Sequence, residues 1–406
     1  MAYSRWLRIG GTLMVGLFVA YIDRTNLSVS LPTVSKDLGF AGANFALTSS
    51  WVLTTFLIGY AFANVFGGVL FQRFDPKWVA IWMMVIWSVA TILTGWVTSV
   101  GLLLGYRLIL GVTEGIYWPQ QSRFARAWFA PTELSRANAL IQYYGQYLAL
   151  ALGFLILTPI YNAFGWHMLF FLTGGLGLFV MVPLYMATLR KESEAPFRDK
   201  TQQEVAQPKL TLKAFGGFPF TMLVFSYITQ GMFFWGITLW IPLAVKSLGF
   251  AGVWQALGSA LPYFAAVAFA IPMSYISDKT GKRVLIAALG LIIPGFMLMT
   301  LPHISSGEVK LALITLAMGY YASSFTPNIW SIVQGSVEPR AVGPAAGIIN
   351  GLGAGGGGTI AGFLVGLIYR ATGSYMSGFL VLGVLVIIGG GVMLAYGRIK
   401  AREKTT

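Results

Sequence analysis

Residues 9–31 read IGGTLMVGLFVAYIDRTNLSVSL, and only Asp23 and Arg24 in this run carry charge. A stretch of about 18 or more mainly apolar residues is long enough to cross a bilayer as one helix. Eleven more runs of this kind follow, near 45–69, 77–98, 101–122, 136–160, 166–188, 214–243, 252–276, 284–302, 309–334, 342–369 and 375–397. Apolar residues make up 56% of the chain and charged ones only 10%, against about 25% charged in a soluble domain. The expectation is an all-α membrane protein with twelve transmembrane helices. Residues 1–20 have a basic start like a signal peptide, but the apolar run continues past Asp23-Arg24, so they are expected to remain as the first helix.

The net charge of +14 has a topological explanation. With a cytoplasmic N-terminus, 21 of the 27 Lys and Arg residues fall in the even loops and the two tails. The outer loops hold only Lys36, Lys246, Lys310 and Arg370. The positive-inside rule then places both termini in the cytoplasm, and no nucleic-acid partner is needed to explain the basic excess. Cysteine is absent, which excludes disulfides, thiol redox chemistry and cysteine-ligated metals. No metal site is expected. Gly355–Gly358 lacks the strand context and the lysine of a phosphate loop, and no other enzyme motif is present. The protein is expected to be no enzyme and to need no cofactor.

The long polar stretch 189–213, LRKESEAPFRDKTQQEVAQPKLTLK, mixes charges of both signs with proline and glutamine. It reads as a cytoplasmic linker between six-helix halves at 1–188 and 214–397, with 398–406 as a cytoplasmic tail. The halves echo one another. The turn after the second run contains Gln72, Arg73, Asp75 and Lys77; the turn after the eighth contains Asp278, Lys279, Lys282 and Arg283. Repeated bundles of this kind are a mark of rocking transporters.

Four charges lie inside apolar runs: Asp23, Arg24, Arg107 and Glu114. A charge at bilayer depth costs a few kcal/mol, about 2.5–3.5 on insertion scales, and marks function by default. At 1.5 Å per residue, Asp23 and Arg107 sit at similar depths, and Glu114 lies about 10 Å deeper than Arg107. An i, i+7 spacing puts Arg107 and Glu114 on nearly one helix face. An arginine fork matches a carboxylate bidentately, and an acid beside it can take up and release a proton. The structural alternative is that the four only assemble helices, with Asp23 neutralising Arg107.

These residues carry a resemblance. Tyr21-Ile-Asp23-Arg24-Thr-Asn26 and Arg107-x6-Glu114 resemble motifs of the anion:cation symporters, a branch of the major facilitator superfamily. That branch holds bacterial sugar-acid permeases and the sialin and vesicular glutamate transporters. Pro119-Gln-Gln-Ser-Arg123, Trp128-Phe129-Ala-Pro131, Glu133-Leu-Ser-Arg136-Ala137-Asn138 and Gly165-Trp166-His167 also follow its pattern. The turns after the second and eighth runs are similar to the superfamily's G-x-x-x-D-[RK]-x-G-[RK]-[RK]. There, Arg73, Asp75, Lys77, Asp278, Lys279 and Arg283 correspond to the residues that latch one half to the other. Gln72 replaces the first copy's aspartate.

The resemblance implies the twelve-helix major facilitator fold, with Asp23 and Glu114 carrying protons and Arg24 and Arg107 serving a substrate carboxylate. It adds Tyr21, Tyr60, Gln146 and Asn350 as cavity-lining residues. Ala354 and Gln121-Ser122 stand where the branch usually carries asparagines, so one amide suited to sugar hydroxyls is missing. Aromatics such as Tyr143, Tyr147, Phe233, Phe234, Trp235 and Trp330 divide between interfacial anchors and rings able to stack on cargo.

The expected activity is proton-driven uptake of a small organic carboxylate across a cell membrane by a multi-pass monomer. The expected membrane is the inner one in a Gram-negative source. The partners are the organic anion, protons and the lipid bilayer. A proton/drug antiporter is the rival; two buried arginines argue against cationic cargo. A membrane sensor would be expected to carry a signalling domain or a long tail.

Overall fold

A computed structural model describes residues 5–71, 74–130, 137, 139–197, 215–337 and 342–403. Among them the architecture is helical, and no strand occurs. In chain order the helices are α1 (Trp6–Asp37), α2 (Phe45–Leu70), α3 (Pro76–Thr94), α4 (Val100–Trp128), α5 (139–164) and α6 (166–188). They continue as α7 (Phe218–Ser247), α8 (Gly252–Thr280), α9 (Arg283–Thr300), α10 (307–336), α11 (342–372) and α12 (Tyr375–Glu403). Among the described residues, ten helical segments are long and apolar enough to cross a membrane. One of these, Leu140–Glu194, contains both α5 and α6.

Local chemistry explains where the helices stop. Gly165 has φ 77° and ψ 175° and breaks α5 from α6, a conformation glycine adopts without steric cost. Gly281, with φ 65°, ends α8 in a left-handed cap. The Ser99 hydroxyl accepts from the Leu102 N–H at 3.3 Å and starts α4. Asp75 caps α3 by accepting from the Lys77 N–H at 2.9 Å. The expected single run 309–334 is instead two helices, Gly307–Ser324 and Thr326–Ser336. Pro327, which has no N–H to give, sits at the start of the second. Glu308 and Lys310 at its start, and two tyrosines and two serines at its end, make Gly307–Ser324 less apolar than the ten long spans.

The packing plan of α1–α6 recurs six helices later. α2 lies on α4 as α8 lies on α10; α1 packs on α5 as α7 packs on α11; α3 lies on α6 as α9 lies on α12. The two sets meet along α2–α11 and α5–α8. α7 is apolar on all sides and is the most buried of the ten long spans.

The α2–α11 seam is closed by glycines. A Cβ on Gly355 would fall 2.6 Å from Ala61 Cα, and one on Gly351 would fall 2.9 Å from the Ala61 carbonyl oxygen. Only glycine admits so close an approach of backbones. The α5–α8 seam instead holds a cleft of about 140 Å³ lined by Thr158, Asn162, Gln255 and Ser259 among others.

Two of the expected latch residues, Asp75 and Lys77, have partners in the first six helices and the chain that follows α6. Asp75 also accepts from the Glu192 N–H at 3.1 Å, and Lys77 Nζ donates to the Met186 carbonyl at 3.2 Å. Arg123 pairs with Glu192. These contacts tie the α2–α3 turn to α6 and the chain after it, and Arg123 of α4 joins the turn by donating to the Phe74 carbonyl at 2.9 Å. Lys279 and Arg283 flank the α8–α9 turn. Arg73, the Asp278 side chain, residues 131–136 and 138, and linker residues 198–214 lie outside the described residues.

Candidate functional site

Asp23, Arg24, Arg107 and Glu114 are all buried, none more than 3% exposed. α1 brings the first two and α4 the second two. Arg24 Nε donates to Glu114 Oε2 at 2.5 Å. This corrects the pairing expected from depth. Asp23 and Arg24 are consecutive and so point about 100° apart around α1. Arg24 reaches Glu114 on α4, while Asp23 is turned toward Thr173 on α6.

The Thr173 hydroxyl does not meet hydrogen-bond geometry with Asp23. It donates to the Phe170 carbonyl at 3.4 Å and accepts from Asn26 Nδ2 at 3.2 Å. Both Asp23 oxygens and all three Arg107 guanidinium nitrogens have no hydrogen-bond partner among the described residues. Arg107 remains within electrostatic reach of both acids. The site therefore holds one closed ion pair and one open pair of opposite charges.

The Arg24 guanidinium is surrounded by rings. Its Cζ lies 4.1 Å from the Tyr21 centroid, 4.9 Å from Tyr60, 5.0 Å from Phe56 and 5.6 Å from Trp235. Arg107 lies 5.2 Å from the centroid of the same Phe56. A desolvated cation over an aromatic face gains roughly 2 kcal/mol. Such rings partly replace the water that the guanidinium gives up. Trp235 comes from α7 and the other three rings from α1 and α2, so the cage straddles the two sets of helices.

Beside the cage is a cavity of about 30 Å³, room for about one water molecule. All four residues expected to line a cavity do line it: Tyr21, Tyr60, Gln146 and Asn350. Asn350 Nδ2 donates at 3.0 Å to both Tyr60 Oη and Asn64 Oδ1 across the α2–α11 seam. Tyr147 Oη and Thr326 Oγ1 meet at 3.4 Å between α5 and α10. Ala354 forms part of the wall.

Sequence reasoning did not single out Gln230, Tyr321 or Thr326, which also line this cavity. Gln230 sits in the apolar run YITQGMFF of α7, a polar group in an apolar span as Gln146 is, but the resemblance that brought Gln146 forward did not point to it. The Gly165-Trp166-His167 motif has a separate, structural use. Trp166 Nε1 donates to Asp37 Oδ2 at 2.6 Å, and His167 Nδ1 bonds the Gly95 carbonyl at 2.7 Å, pinning the ends of α1 and α3 to α6.

Long apolar helices packed around buried charges and a central cavity define a multi-pass membrane carrier. The chain belongs to the Major Facilitator Superfamily, which its residues 13–361 match. It is similar to the "Probable sulfoacetate transporter SauU" of Cupriavidus necator, at 27% identity over 93% of this chain and 91% of that protein. It is also similar to the D-galactonate transporter of Escherichia coli O6:H1, at 23% identity over 93% of each. In fold it resembles a bacterial homolog of the human lysosomal transporter Spinster, solved in an inward-facing, unoccupied conformation. The TM-score there is 0.70 at 16% identity, over 98% of this chain and 97% of that one. The protein is a transporter and not an enzyme.

Proposed function

We propose that this carrier imports a small organic carboxylate together with protons. In this reading twelve helices span the membrane, both termini are cytoplasmic, and 1–188 and 214–397 rock about the cavity. Asp75, Lys77, Lys279 and Arg283 lie in the turns that part and close, with Arg73 and Asp278 in the same turns. Arg24 and Arg107 attract the carboxylate. Asp23 and Glu114 take up protons from outside and release them inside, and no cofactor takes part. The carrier works as a monomer in a cell membrane.

The observation that carries this is the Arg24–Glu114 pair at 2.5 Å beside the cavity. Protonating Glu114 would weaken its hold on Arg24, and the guanidinium would then favour an incoming carboxylate. Two relatives whose names specify organic anions support the substrate class. Two buried arginines disfavour the rival, a proton-coupled exporter of lipophilic cations.

The proton role is tested with Glu114→Gln in proteoliposomes. The variant should exchange labelled substrate across the membrane while losing uphill accumulation under a pH gradient. Accumulation equal to wild type would remove Glu114 from proton coupling.

A further inference from the structure

Gln230 belongs to the cavity wall and is 5% exposed. Its Nε2 donates to Tyr321 Oη at 2.5 Å. Its Oε1 is buried with no hydrogen-bond partner among the described residues. A buried acceptor left without a donor is destabilising. Gln230 is on α7, whereas Arg24 is on α1. The cavity thus adjoins the Arg24 cage at one end, through the Tyr21, Tyr60 and Trp235 rings, and has a neutral, hydrogen-bonding end supplied by the second set.

The wall between these ends is mostly aromatic. Tyr147 and Phe234 stand at 81° to each other, Phe234 and Trp235 at 78°, and Tyr227 and Trp330 at 63°. Such a wall offers ring faces as well as edges, the surfaces that aromatic partners prefer. Much of its polar capacity is already used. The Asn350 amide nitrogen serves Tyr60 and Asn64, Tyr147 and Thr326 meet each other, and the Gln230 nitrogen serves Tyr321. Tyr21, Gln146 and Tyr227 add further hydrogen-bonding groups, so the wall favours an aromatic cargo through its ring surface and not through a lack of polar partners. The cavity is also contracted to about 30 Å³, and a flat ring requires less parting of the helices than a puckered chain.

We propose that the cargo is a hydroxylated aromatic carboxylate. Its carboxylate faces the Arg24 end, its ring lies among the cavity aromatics, and its hydroxyl bonds the Gln230 amide. A hydroxyl suits this amide in either orientation, because it donates to Oε1 and accepts from the nitrogen. Gln230 is then a specificity residue. The inference rests on the carboxylate reading above and narrows its substrate class.

The test is calorimetric binding to the purified full chain at fixed pH, using benzoate, 3- and 4-hydroxybenzoate, cyclohexanecarboxylate and gluconate. One hydroxybenzoate isomer should bind about tenfold tighter than benzoate, the scale of one well-made hydrogen bond. It should also bind more tightly than gluconate and cyclohexanecarboxylate. Gln230→Met should abolish the preference for the hydroxyl, so that hydroxybenzoate and benzoate bind the variant equally; a thermal unfolding midpoint close to that of wild type reports that the variant is folded. A hydroxyl preference that survives Gln230→Met overturns the role of Gln230. Gluconate binding above every aromatic acid overturns the aromatic class and leaves the carboxylate reading standing. Failure of every acid to bind overturns the carboxylate reading itself.

Discussion

In α1–α6 the buried polar side chains include two acids and two arginines; in α7–α12 the described ones are serines, threonines, glutamine and asparagines. Both sets pack their helices in the same order, so the difference lies in chemistry and not in architecture. The strongest polar contact, Arg24–Glu114, lies wholly within the first set, between α1 and α4. Contacts that cross to the second set are weaker in kind: an amide on a phenol, a phenol on a hydroxyl, and the Arg24 guanidinium on the Trp235 ring. An interhelical hydrogen bond in a membrane averages about 0.6 kcal/mol. Relative motion of the two sets would therefore break cheap contacts and spare the costly one. Under the proposed function, protons and anions would act on the first set, and the second would follow.

The largest effect that would break this contrast is inside the first set. Arg24→Gln leaves Glu114 buried opposite a neutral amide, and losing one partner of a buried pair costs about 3–5 kcal/mol. Thermal unfolding in detergent should show a large loss of stability. Adding Glu114→Gln should restore much of it, because the uncompensated charge is gone. A double-mutant cycle with no coupling would mean that the pair does not hold the first set together.

A smaller effect sharpens the role of the open charges. Arg107 keeps all three guanidinium nitrogens without a hydrogen-bond partner among the described residues, as a group waiting for an anion would. Arg107→Lys retains the charge and loses the planar fork. Carboxylate affinity should fall about tenfold, or about 1.4 kcal/mol, in competition binding on purified protein, and lipophilic cations should not compete. Unchanged affinity would leave Arg107 as a purely structural cation.

How much of this was legible in the sequence depends on which coordinate a residue reports. Hydrophobic runs mark membrane depth, and each of the twelve runs contains helix, although residues 95–98 and 215–217 at the ends of two runs are not helical. They missed the helix ends because a helix outlasts its apolar stretch. α1 continues to Asp37, and α8 continues until Gly281 turns left-handed. Depth alone also could not choose the ion pair. Asp23 and Arg107 match in height, but pairing requires matching azimuth, and the step from residue 23 to 24 gives Arg24 that azimuth instead. Tyr60 and Asn350 were readable as polar groups in apolar runs. Gln230 carried the same signal, and only its free Oε1 separates it from an ordinary interhelical bond.

The smallest predicted effect lies on the seam between the two sets. Asn350→Ala removes both 3.0 Å bonds, to Tyr60 Oη and Asn64 Oδ1. At the membrane average the pair contributes about 1 kcal/mol. The glycine contacts of Gly351 and Gly355 with Ala61 remain, so α2 and α11 should stay packed. Stability in detergent should fall by about that amount, several times less than for Arg24→Gln. Combining Asn350→Ala with Tyr60→Phe isolates the share carried by the phenol, expected at about half. A loss for Asn350→Ala as large as that for Arg24→Gln would mean that a strong contact does cross the seam. The two sets could not then move past one another cheaply, and the division into a charged set and a following set would fail.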